Sequence, residues 1–90
     1  MKNNGTPAAA GGSLDAQIHR ICRMEQLLRI VQSGCDTPRY TVREALALLE
    51  EYYFSPQWLE DYTADEAGLL PPGLSRGVLA EDTIYNLITD

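Results

Sequence analysis

From residue 14 onward, apolar side chains return at three- and four-residue steps: Leu14, Ile18, Ile21, Met24, Leu27, Leu28 and Val31. On a wheel of about 100° per residue they fill half the circumference, the arc of a helix with one face on a core. His19, Arg23, Glu25 and Ile30 are read on or near the other side. Ser13 is the N-cap, Asp15 complements the first-turn dipole, and Gly34 follows as the stop. The pattern predicts a helix over 14–33.

After the turn chemistry of Asp36-Thr37-Pro38, a second arc runs through Val42, Ala45, Leu46, Leu48, Leu49, Tyr52 and Tyr53. Thr41 and Glu44 have the spacing of a capping box, with Thr37-Pro38 a competing start one turn earlier. Ser55-Pro56 then supplies an N-cap and a first helical position, and Trp58, Leu59 and Tyr62 share a face flanked by Glu60 and Asp61. A short helix over 56–63 follows. Gly68, Pro71, Pro72 and Gly73 break any regular pattern, so 64–77 reads as a surface loop. Glu81-Asp82 open a last short helix, to about 88, through Ile84, Tyr85, Leu87 and Ile88. No stretch alternates over the length of a strand. The expectation is all-α: two long antiparallel amphipathic helices, then two short ones joined by a Pro/Gly-rich loop, in a single domain over 13–90. Residues 1–12, MKNNGTPAAAGG, have no periodicity and read as a disordered arm.

Charge changes this picture. Residues 1–43 hold six cations and three acids, whereas 44–90 hold ten acids and only Arg76. An acidic half repels phosphate, which argues against nucleic-acid binding. The polarity fits an Arg-bearing segment lying near an acidic one, or an acidic face turned to a basic protein partner. No apolar run reaches the roughly 18 residues of a membrane span, and the small, polar N-terminus lacks a signal h-region. Cys22 and Cys35 lie about 20 Å apart along one helix, too far for a bridge. Free thiols fit a reducing cytoplasm.

The stretch YYFSPQWLEDYTADEAGLLPPGLSRGVLAEDTIYNLI resembles the small bacterial proteins grouped as domain of unknown function 4298, whose pattern is YYxSxxWxxDYxxDExGxLPxxLxRGVLxEDxIYxLL. The match runs through Tyr52, Tyr53, Ser55, Trp58, Asp61, Tyr62, Asp65, Glu66, Gly68, Leu70 and Pro71. It continues through Leu74, Arg76, Gly77, Val78, Leu79, Glu81, Asp82, Ile84, Tyr85 and Leu87. Ala80 stands where a Ser N-cap is expected, which should let the last helix fray at its start. The resemblance implies a helical fold and a bacterial cytoplasmic protein, and no activity.

The candidate chemistry lies in the same stretch. Arg76 reads as a guanidinium bridging neighbouring carboxylates and pinning the loop, with an anion receptor as the alternative. Asp61, Asp65, Glu66, Glu81 and Asp82 form an oxygen-rich set suited to Ca²⁺ or Mg²⁺. An EF-hand register from Asp61 fails, because Glu66 sits where Gly is needed and Pro72 where the bidentate Glu belongs. His19, Cys22 and Cys35 lack the close pairs and fourth ligand of a zinc site. Tyr52, Tyr53, Trp58, Tyr62 and Tyr85 read as core aromatics, with a binding surface as the alternative. The expectation is a non-enzymatic protein-interaction module without cofactor, engaging a basic partner. The alternatives are a cation-binding domain and a small hydrolase using paired carboxylates. The apolar arcs of the first two helices need more cover than each other, supplied by the C-terminal half or by a second copy in a homodimer.

Overall fold

The computed structural model describes residues 14–89, so the expected arm at 1–12 lies outside the described residues. Four α-helices follow in order: α1 (Leu14–Ser33), α2 (Val42–Tyr53), α3 (Pro56–Glu66) and α4 (Glu81–Thr89). A 3₁₀ turn at Gly77–Leu79 precedes α4, and the described residues contain no strand.

Local chemistry sets most boundaries. Gly34, at φ 71°, ends α1 with its N–H on the carbonyls of Ile30 and Val31. The capping box of α2 is complete: Thr41 Oγ1 accepts from the Glu44 N–H at 3.0 Å, and Glu44 Oε1 accepts from the Thr41 N–H at 2.9 Å. Asp36 Oδ1 takes the next free donor, the Val42 N–H, at 2.8 Å. Thr37 does not start a helix. Its hydroxyl exchanges hydrogen bonds with the Tyr40 backbone and closes the linker instead. Ser55 has N-cap backbone geometry, but its hydroxyl donates to the Tyr52 carbonyl and leaves initiation of α3 to Pro56.

α3 runs one turn past its expected end at 63. A Schellman motif stops it, with the Leu69 N–H on the Ala64 carbonyl, the Gly68 N–H on the Asp65 carbonyl, and Gly68 at φ 74°. Non-helical chain then begins at Ala67, and the expected loop is interrupted at Gly77 by the 3₁₀ turn.

The core draws on every element: Ile21, Leu27 and Leu28 of α1, Ala45, Leu49 and Tyr52 of α2, Ala64 of α3, Leu70, Val78, Leu79, and Ile84 of α4. α1 packs on α2, and both are covered further by the C-terminal half: α1 by the 3₁₀ turn, α2 by α3 and α4. The C-terminal half thus supplies cover for the wide apolar arcs of both helices.

Candidate functional site

Two charged residues of α1 occupy places that apolar side chains would ordinarily fill. Arg20 reaches α3 and grips Asp61 with two bonds, Nε to Oδ2 at 2.9 Å and Nη2 to Oδ1 at 2.6 Å. Tyr52 of α2 donates its hydroxyl to Asp61 Oδ2 at 2.7 Å. Asp61 is 0% exposed, and a buried carboxylate is stable only when paired and hydrogen-bonded in this way. The network holds its protons firmly. Burial, followed by the Asp61 hydrogen bond and charge, pushes the Tyr52 phenol far above its ordinary pKa. The hydrogen bond to Asp61 raises the Arg20 guanidinium.

Glu25, five residues further along α1, is only 7% exposed, and its Oε2 accepts the Val78 N–H at 2.6 Å. The Val78 carbonyl accepts from Trp58 Nε1 at 2.8 Å. The 3₁₀ turn is thus held by its backbone between α1 and α3. Gly77 makes the approach possible: a Cβ there would sit 3.2 Å from Leu28 Cδ2 and 3.3 Å from Glu25 Oε2. The sequence reading placed Glu25 on or near the solvent side of α1, which the structure corrects. At about 100° per residue it falls between Ile18 and Ile21, inside the apolar arc, and the turn carrying Val78 covers it.

Among the described residues Arg76 bonds to one carboxylate, Asp65, rather than bridging several. Its remaining donors take the Leu74 carbonyl at 3.2 Å and the Pro71 carbonyl at 2.5 Å, so the guanidinium ties the loop to α3. The Glu81 side chain lies outside the described residues, and the other four members of the acidic set do not converge. Asp61 is spent on Arg20 and Tyr52, Asp65 on Arg76, and Glu66 and Asp82 are exposed. Among the described residues no group of three or more His, Cys, Asp or Glu is placed to hold a metal ion. Nothing among the described residues therefore supports the cation alternative. His19 is exposed, and Cys22 and Cys35 are free and exposed.

The aromatics form a row rather than a buried knot. Tyr53 meets Phe54 edge-on at 5.2 Å and Trp58 at 5.1 Å, and Trp58 stacks on Tyr62 at 5.1 Å. Tyr52 is buried, Tyr53 and Trp58 are half-buried along the core's edge, and Tyr62 is half-buried beside Trp58. Tyr85 departs from its expected place: it is 52% exposed, and Ile84 takes the core position on α4.

Sequence reasoning also gave Leu59 to the inner face of α3, with Trp58 and Tyr62. The helix instead turns Asp61 and Ala64 inward, because Arg20 and Tyr52 compensate the carboxylate, and Leu59 faces out at 59% exposed. Together with Leu69, at 60%, it lines an open groove of about 550 Å³ that includes Gln17 of α1. Gln17 Nε2 donates to the Glu60 carbonyl at 3.4 Å and closes that end. Among the described residues no helix is long and apolar enough to cross a membrane.

A family model described as "Domain of unknown function (DUF4298)" matches residues 21–90. No curated protein and no solved structure matches the chain.

Proposed function

The chain belongs to the family of domain of unknown function 4298, and from that premise we propose that it is a non-enzymatic protein-interaction module whose acidic surface engages a basic protein segment. The observation that carries this reading is how the charge is divided. The buried or half-buried carboxylates Asp61, Asp65 and Glu25 are consumed by internal partners. Glu50, Glu51, Glu66 and Asp82 are exposed, and among the described residues no ion pair engages them. A catalytic group would need a reactive carboxylate or nucleophile facing a cleft, and the carboxylate most set apart from water here, Asp61, is already saturated by Arg20 and Tyr52.

The reading takes α1 and α2 as an antiparallel pair within one domain over 13–90. The Pro/Gly-rich segment is pinned by Arg76 so that α3 keeps a fixed outer face. A cytoplasmic setting would keep the thiols of Cys22 and Cys35 reduced.

The test is calorimetric titration of the chain with a lysine-rich amphipathic peptide and with its glutamate-rich counterpart, over a salt series. The cationic peptide should bind and weaken as salt rises, since exposed charges are screened beyond about 8 Å at physiological ionic strength. Equal binding of both peptides, or of neither, contradicts the proposal.

A further inference from the structure

We infer that the groove on the outer face of α3 is where such a partner docks, and that it takes a segment with two apolar side chains flanked by lysine or arginine. This rests on the interaction reading above and gives it a location. Two features argue for it.

The first is construction. Leu69 sits at the groove because the Schellman turn after α3 directs the chain back across Ala64, and Pro56 fixes the other end of the same helix. The outcome is an apolar trough whose two leucines are each more than half exposed. Single exposed leucines need no explanation. Two that wall one concavity offer a partner's apolar side chains a place to bury.

The second is charge. Glu60 lies in the groove wall with its side chain more than half exposed, and among the described residues its one ion pair is a loose one to Arg20 at 3.7 Å. Glu66, seven residues after Leu59, lies on the same face of α3 and is exposed. An apolar floor with an acidic rim complements an apolar segment with cationic flanks. The same charges argue against a second copy of this chain as the occupant. A two-fold contact through this face would bring two copies of the same acidic rim together. Anionic lipid headgroups and nucleic acid meet the same repulsion.

The experiment is an amide chemical-shift titration of the full chain with a peptide carrying two leucines four residues apart, flanked by lysines. Shifts should concentrate at Leu59, Thr63, Ala67 and Leu69. The double variant Leu59→Ser with Leu69→Ser changes only exposed side chains. It should melt as the parent does and bind the peptide about tenfold more weakly or worse. Glu60→Gln with Glu66→Gln should weaken binding severalfold and flatten its salt dependence.

Unchanged affinity in the double-Ser variant, with binding lost instead in a Glu50→Gln, Glu51→Gln and Asp82→Asn variant, overturns the groove and leaves the interaction reading standing. No binding of any cationic probe overturns both. Sedimentation showing a dimer that the double-Ser variant abolishes would overturn the inference in favour of a second copy.

Discussion

Arg20 and Arg76 each meet a carboxylate of α3, one turn apart, in different surroundings. Asp61 is sealed from water, gripped by two bonds from Arg20 and one from Tyr52. Asp65 sits at the rim, and it and Arg76 both keep part of their side chains in solvent. The same pair of functional groups therefore does different work. Within the core, removing one partner leaves an uncompensated charge in a low dielectric. At the rim, water replaces a lost partner at little cost. The inner pair fixes α3 against α1 and α2, whereas the outer one steadies the loop.

Substitutions should expose that difference. Asp61→Ala leaves both Arg20 and Tyr52 without their acceptor, and urea unfolding should show about 3–5 kcal/mol lost. A loss under about 1 kcal/mol would place the inner pair in the same class as the rim pair.

Tyr52→Phe removes one bond to a charged acceptor while Arg20 keeps Asp61 compensated, so about 1.5–3 kcal/mol should go. The same phenol sets an alkaline limit. Its pKa is raised in the folded chain, so the folded state holds that proton more tightly than the unfolded state. The associated stability is complete below the ordinary phenol pKa of about 10 and is lost as pH climbs beyond it. Above that pH, thermal midpoints should fall more steeply for the parent than for Tyr52→Phe.

Gly77→Ala should cost about 1–2 kcal/mol, because its Cβ crowds Leu28 and Glu25. Gly73→Ala, with nothing within 4 Å, is the matched control and should change little in the same melt. The smallest effect is expected for Asp65→Ala, about 0–1 kcal/mol. Its signature is faster amide exchange in 73–76 without a shift in the global melt.

The helices were legible because their signals are local. The Thr41–Glu44 box, Pro56, and Gly34 at the end of α1 each act within a turn of the residue concerned. The extra turn of α3 is less legible, because Gly68 followed by Pro71, Pro72 and Gly73 reads as part of a loop rather than as a helix stop. The resemblance located the RGV segment but not its purpose. What holds that segment, Glu25 and Trp58 on the two backbone groups of Val78, joins residues far apart in sequence.

Buried charge was the hardest feature to read. Wheel position alone puts both Arg20 and Glu25 inside the apolar arc of α1, and charged intruders there are a usable signal. The Arg-bearing and acid-bearing halves gave the complementary hint, realised in Arg20–Asp61. Spacing puts Leu59 on one face with Trp58 and Tyr62, the aromatics expected in the core. Only the compensation of Asp61 by groups on two other helices explains why the carboxylate goes in and the leucine goes out.

A double-mutant cycle on Arg20→Ala and Asp61→Ala tests most directly whether that buried pair anchors α3. A coupling energy of about 2–3 kcal/mol that persists in about 0.5 M salt is the predicted result. Coupling below about 0.5 kcal/mol, or coupling erased by salt, would show that the pair behaves as a solvated surface bridge and that something else positions α3.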